Sequence, residues 1–355
     1  MVRFPVKCIL LLSLITGCQS DPPGTQQYNE NILTIGEYLE INREQYSEFY
    51  RILDKGKLLI TLCGYNPHGD GYTLFLPTDE AVDRFIQQSQ DYGNLDEMLS
   101  DTNFIYFLTR YHTLNNSVHT DEFPDGALND RTLTGERLTA GFYTDGENPL
   151  IKINNAVPII RSNLEMTNGY IHVISGVLQE AENSGYDWLQ QQEDYSILAR
   201  AMELSGVRDR LWGKYTILAE HDSIYYRHGI LSIEDLIDRV AIPGIPYSDW
   251  TNPFYQFTAY HLLNREYYLN DLLPGSRGYA TYASRSVRIE VGLEIRIDPG
   301  VDTFGIEISG SGDTTVIDYI LPVWGDCNIM TQTGPVHSIS ELLTGGSLSE
   351  GDFRN

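Results

Sequence analysis

The sequence predicts two α+β domains in tandem. Three observations carry that prediction: a motif order that occurs twice at a period of roughly 150 residues, helices that precede strands in each copy, and a chain long enough for two cores. With 355 residues and 41% hydrophobic content, each half can bury a core of its own. A parallel βαβ fold would instead alternate strands with helices throughout.

The first copy is organised around residues 73–112. Thr73-Leu74-Phe75-Leu76 has the composition of a short buried strand. Pro77 has no N–H to give a ladder and stops it. Thr78 then caps a helix, Asp79 and Glu80 place negative charge in its first turn, and Val82, Phe85 and Ile86 give it an apolar face. Upstream, residues 37–53 read as one helix with a stripe of Tyr38, Leu39, Tyr46, Phe49, Tyr50 and Leu53. Two short helices follow at 94–99 and 103–110, the second running into Tyr111-His112. Alternation at 132–139, 150–153 and 157–160 then belongs to strands, with turns at Gly135-Glu136 and Asn154-Asn155. Asn168-Gly169-Tyr170-Ile171-His172-Val173-Ile174 is a glycine turn feeding the closing strand.

The second copy repeats this order. Tyr215-Thr216-Ile217-Leu218-Ala219-Glu220-His221-Asp222 matches the strand and cap, with Glu220 where Pro77 stood. Tyr260-His261 matches Tyr111-His112, and Thr333-Gly334-Pro335-Val336-His337-Ser338-Ile339 matches 168–174 with Thr for Asn. Helices are expected around Ile197, Leu198, Ala201, Met202 and Leu204 and over 231–240. Strand signals fall at 287–297, 304–308 and 316–323. A Pro- and aromatic-rich insertion at 242–255 lengthens the spacing from cap Asp to Tyr-His from 33 to 39.

Strand, Pro-Thr-Asp helix, Tyr-His, then Asn-Gly-x-x-His-Val-Ile closely resembles a fasciclin (FAS1) domain in the first copy, and more loosely in the second. The resemblance implies two tandem fasciclin-like domains, each a β-sandwich or wedge with helices packed on one flank. It also implies adhesion, to cells or matrix or within a cell-envelope complex, and links the segment matching Tyr111-His112 to that role. The expected divisions are a signal at 1–17, a tether at 18–30, a first domain at 31–180, a connector at 181–193, a degenerate second domain at 194–344 and a tail at 345–355.

The N-terminus reads as an export signal. Arg3 and Lys7 precede an apolar run, and Ile15-Thr16-Gly17-Cys18 resembles a bacterial lipobox with Cys18 as the lipidated residue. The run is too short for a membrane span, so attachment is expected through lipid, at the outer membrane with surface exposure. The formal charge of −25 becomes −27 once Arg3 and Lys7 are lost. A field of that sign repels nucleic acid and anionic lipid surfaces. Cys63 and Cys327 fall in different predicted domains, so they read either as idle or buried thiols or as a disulfide that crosses between the domains.

Catalytic signatures are missing from the sequence. No Gly-x-Ser-x-Gly, Walker loop or Gly-x-Gly-x-x-Gly is present, and Ser309-Gly310-Ser311-Gly312 reads as a hairpin turn. Asp70-Gly71, Asp145-Gly146 and the acids at 298 and 302 are isolated turns rather than a calcium loop, so neither metal nor cofactor is expected. Four of the eight histidines, His112, His172, His261 and His337, sit at repeat-equivalent positions. They read either as ligands or as buried rings satisfying backbone groups, and recurrence in both copies favours the second. Tyr247, Trp250, Phe254 and Tyr255 cluster in the insertion and could stack on sugar faces or anchor a protein partner, or instead cap their own core. The expected function is therefore binding of a protein at the cell surface, with glycan capture beside an outer-membrane transporter as the alternative. Asp222-Ser223-Ile224 and Asp313-Thr314-Thr315 resemble short O-glycosylation acceptors.

Overall fold

The computed structural model describes residues 33–145, 148–298, 320–323 and 325–344. The signal, Cys18, the tether, the strand signals at 304–308 and 316–319, the turn at 309–312, the acceptor triplet at 313–315 and the tail lie outside them.

The first half runs α1 (Ile35–Ile41), α2 (Ser47–Lys55), α3 (Leu59–Leu62), β1 (Tyr72–Pro77), α4 (Asp79–Gln88), α5 (Leu95–Ser100) and α6 (Thr102–Tyr111). Then come β2 (Thr113–Leu114), β3 (Gly126–Arg131), β4 (Arg137–Asp145), β5 (Asn148–Ile153), β6 (Val157–Met166) and β7 (Gly169–Ile174). The expected single helix over 37–53 is two. The Asn42 side chain donates to Tyr38 O at 2.8 Å and ends α1, and a turn intervenes before α2.

The strands form one sheet in the order β2-β1-β7-β6-β5-β4-β3, with β1 and β7 parallel. Successive side chains of β1 leave opposite faces. Leu74 and Leu76 join the core under the helices, with Phe49, Ile52 and Ile105. Phe75 joins a second core closed by Leu138, Ala140 and Ile153 from the far half of the sheet. The sheet thus curls over one face and carries its helices on the other, the flanked wedge that was expected.

The second half repeats these elements. It contains α7 (Gly185–Gln191), α8 (Ser196–Leu204), β8 (Thr216–Glu220), α9 (Asp222–Arg227), α10 (Ile233–Val240) and α11 (Pro253–Tyr260). They are followed by β9 (Leu262–Leu263), β10 (Gly275–Ala280), β11 (Ser286–Val291), β12 (Ile295–Asp298) and β13 (Val336–Ile339). Here β8 lies between β13, to which it is parallel, and β9, as β1 lies between β7 and β2. Bridges Ile297–Ile320 and Pro322–Ile339 set residues 320–323 between β12 and β13, the place β6 holds in the first half.

The stretch expected as a connector, 181–193, is a correction. Its residues Gly185–Gln191 are α7, opened by a Ser184/Asp187 capping box, with Tyr186 and Leu189 in the second core. The second domain therefore begins near Ser184. A further pairing repeats in both halves. Asp79 accepts from Ser47 N (3.1 Å), Ser47 Oγ (2.7 Å) and Glu48 N (2.9 Å), so it caps α2 from a distance. Asp222 does the same for α8 through Ser196 N (3.0 Å), Ser196 Oγ (2.6 Å) and Ile197 N (3.0 Å).

Candidate interaction surfaces

The repeat-equivalent histidines are buried, and three of the four hold backbone groups through both ring nitrogens. His112 Nε2 accepts from Leu178 N (2.9 Å), so Nδ1 carries the proton and donates to Leu108 O (2.9 Å). His172 takes the other tautomer: Nδ1 accepts from Asn163 N (3.1 Å) and Nε2 donates to Val118 O (3.1 Å). His337 copies it with Asn328 N (3.0 Å) and Tyr267 O (2.8 Å). Burial pushes all three down to about 4, so they stay neutral at pH 7. Tyr111 and Tyr260 are also buried, at 1% and 2% exposure. All six side chains are buried, so the adhesive role that the resemblance implied for the Tyr111-His112 segment finds no exposed side chain among them.

His261 is the variant of the set. Its Nδ1 donates to Phe257 O (2.8 Å), while Nε2 meets Glu220 Oε1 at 2.7 Å. The same oxygen accepts from Leu343 N (2.9 Å), and Oε2 accepts from Tyr225 OH (3.1 Å). In the first domain Leu178 N reaches the histidine directly; in the second a carboxylate stands between the two, at the position of Pro77. Glu220, His261 and Tyr225 are all fully buried. Glu220→Ala should therefore strand three buried polar groups and destabilise the second domain by about 3–5 kcal/mol. All four tryptophans follow residue 180, so their fluorescence during urea unfolding reads this domain alone. A loss below about 1 kcal/mol would contradict the assigned role.

The aromatic insertion divides. Asn252 caps α11 by accepting from Phe254 N (3.0 Å), and Pro253 opens the helix. That start turns Phe254 and Tyr255 inward, to 0% and 5% exposure. Both are removed from the candidate binding set. Tyr247 is 37% exposed and leans on Phe254, with ring centroids 5.3 Å apart, while Trp250 is 63% exposed. The loop is tied down by Asn252 Nδ2 donating to Ile245 O (3.0 Å) and Gln256 Nε2 donating to Trp250 O (2.6 Å).

A second indole, absent from the sequence expectation, sits on a neighbouring segment. Trp212 is 79% exposed, and Arg210 beside it donates to Ser248 O at 2.9 Å. Its only sequence signal was an isolated Trp in a polar loop. Next to Trp250 lies a groove of about 200 Å³ lined by Thr251, Gln256, Tyr260, Ser284 and Arg285.

Residues 44–180 match the family model described as Fasciclin domain. These residues of the first half are therefore a fasciclin domain. The chain is 23% identical over 275 residues to the pig transforming growth factor-beta-induced protein ig-h3, covering 77% of this chain and 34% of that protein. It is 29% identical over 154 residues to human periostin, covering 42% and 17%. The chain thus spans about a third or less of the length of these relatives. A solved FAS1 domain pair from the insect cell adhesion molecule Fasciclin I aligns over 86% of this chain and 97% of that one, at 17% identity and a TM-score of 0.35.

The fasciclin domain and the second half meet through polar contacts. Arg137, on β4, pairs with both oxygens of Asp271 (2.7 and 3.0 Å), with Glu266 3.8 Å away. Lys214 reaches Glu136 at 3.2 Å, and Asn155 Nδ2 donates to Asn328 O at 3.2 Å. A cleft of about 260 Å³ lies between the halves, lined by Tyr111, Glu136, Arg137, Lys214, Glu266 and Gln332. Its cations are already engaged by acids. Among the described residues no group of three or more His, Cys, Asp or Glu is placed to hold a metal ion. Cys63 and Cys327 are free thiols, and burial pushes the Cys327 thiol up to about 12.

Proposed function

We propose that this chain, with its fasciclin domain, is a lipid-anchored module of the cell envelope that acts by binding a protein partner rather than by catalysis. The observation that carries the reading is the division of roles just described. The titratable groups that recur in both domains are consumed by the fold, while two indoles stand exposed on adjoining segments of the second domain. Exposed Trp beside Arg210 is the composition of an interaction hot spot. The fasciclin domain at 44–180, of a kind that occurs in adhesion and interaction proteins, fits the same reading. The N-terminal Arg3, Lys7 and Cys18 pattern supports anchoring at the outer membrane.

Glycan capture is the second reading. The groove beside Trp250 favours it, since an amide, hydroxyls and a guanidinium next to an exposed indole are the groups that bind sugars. Crosslinking on intact cells, run with the native chain and Trp250→Ala, tests the first reading. Capture of one protein species, weakened at least tenfold by the substitution, is expected; capture unchanged by it would remove the surface from consideration. A glycan array run in parallel separates the two. Saturable binding to one glycan class, lost in the variant, would replace the protein partner with a sugar. Labelling with a fatty acid, abolished by Cys18→Ser, tests the anchor.

A further inference from the structure

The two halves carry the same elements but meet through unlike faces. The second half presents a turn, Leu269–Asp271, to the outer edge of β3, the last strand of the first sheet. Asn270 behaves there like a short piece of strand: its side chain donates to Ala127 O (2.9 Å) and accepts from Ala127 N (3.0 Å). The paired Arg137 and Asp271 lock the same contact.

Each half keeps the face that the other one uses. The first has its own turn, Thr120–Glu122, placed before β3 as Leu269–Asp271 is placed before β10. The second has its own edge strand, β10, whose residues 275–278 are exposed and which, among the described residues, has no strand on its outer side. The charges of these two faces complement each other. Asp121 and Glu122 are exposed on the turn. From Leu272 to Ile289 there is no acidic residue, but there are Arg277, Arg285 and Arg288, in a chain with 49 acidic residues against 24 basic ones.

We propose that a second copy of this chain docks its 120–122 turn on the β10 edge, repeating between molecules the contact that joins the two halves within one. The contact is heterologous, so each added copy leaves one turn and one edge open, and association runs head to tail into a filament or closes as a ring. It is weaker than its intrachain counterpart. Asp121 stands where Asn270 stands and accepts but cannot donate, and Ser286 stands where Arg137 stands, leaving Arg277 and its neighbours to meet the acids.

Sedimentation equilibrium of the full chain carrying Cys18→Ser, so that no acyl chain drives association, tests this over a concentration series at low and high salt. Average mass should rise past that of a dimer with concentration, or settle at a fixed larger mass for a ring, and fall in high salt. Arg277→Glu and Asp121→Arg should each return the chain to monomer. Mixed together, they should associate again, since one supplies an intact turn, the other an intact edge, and the two altered faces are themselves of opposite charge. Both positions are on the surface, and an unchanged far-ultraviolet circular dichroism spectrum verifies the fold. Monomer at every concentration, a wild-type plateau at dimer, or association indifferent to both substitutions would overturn the proposal.

Discussion

Acidification from pH 6.5 towards 4 is expected to cost the fasciclin domain most of its stability. His112 and His172 have folded values of about 4, against an ordinary histidine value near 6.5 in the unfolded chain. Between those values the unfolded state binds more protons than the folded one, so stability falls as pH falls. With both histidines contributing, the slope approaches roughly 2.7 kcal/mol per pH unit, and the full loss is roughly 3 kcal/mol per ring. That is a large part of the 5–15 kcal/mol that ordinarily holds a domain, as an order-of-magnitude figure.

The cause is geometric. Each ring uses one bare nitrogen to accept a buried backbone N–H, and a proton there would set two donors against each other. Glu48 acts in the opposite direction. Burial, then Asp83 and Asp79, push its carboxyl up to about 7, so its contribution is present at low pH and is lost as pH rises through 7. The cleanest measurement is urea unfolding of Glu48→Gln by far-ultraviolet circular dichroism at several pH values from 6.5 to 4.5. A flat stability across that window would show that the rings are not held neutral by the fold.

Replacing Gly169 or Gly334 with Ala should prevent its domain from folding. Gly169 has φ +143°, and a Cβ there would lie 1.8 Å from Tyr72 O; Gly334 has φ +116°, with Tyr215 O at 2.0 Å. Both obstacles are backbone oxygens of the parallel strand pair, at the registers Tyr72↔Gly169 and, two residues before Ile217↔Val336, Tyr215 beside Gly334. Neither oxygen can retreat without opening the neighbouring bonds, Tyr72 N to Asn168 O (2.8 Å) and Tyr215 N to Thr333 O (2.7 Å). Strained backbone and overlap together should exceed about 4 kcal/mol. Gly213→Ala is the control. It also has positive φ, at +69°, but meets nothing within 4 Å, so it should cost only about 1 kcal/mol. For Gly334→Ala, tryptophan emission of an unfolded chain and rapid proteolysis after residue 180 are expected; a native spectrum would contradict the close approach.

What could be read from the sequence was the part with a local period. The strand before Thr78, the capped helix after it and the glycine turn into β7 each announce themselves by alternation, a cap or a breaker. Helix α7 was also announced, by Ser184-x-x-Asp187, but its polar composition resembled a linker. The aromatic run left Phe254 and Tyr255 open between a binding surface and their own core. The Asn252-Pro253 pair that starts a helix and turns them inward was the better guide. The Asp79 and Asp222 caps, Glu220 between His261 and Leu343, and Arg137 with Asp271 join residues 25 or more positions apart in the chain. No pattern of spacing along the chain encodes them, because they follow from the fold and not from either neighbourhood.

Nitrogen-15 spectroscopy of the histidine side chains near neutral pH is the most direct test that the repeated motif is architecture and that binding belongs to exposed loops. His112 should be neutral with its proton fixed on Nδ1, and His172 and His337 neutral with theirs fixed on Nε2, all three unresponsive to pH until well below 6. Averaged tautomers, or titration near 6.5, would mean that the rings are free to take a ligand or a proton, and would return the histidines to the centre of the protein's function.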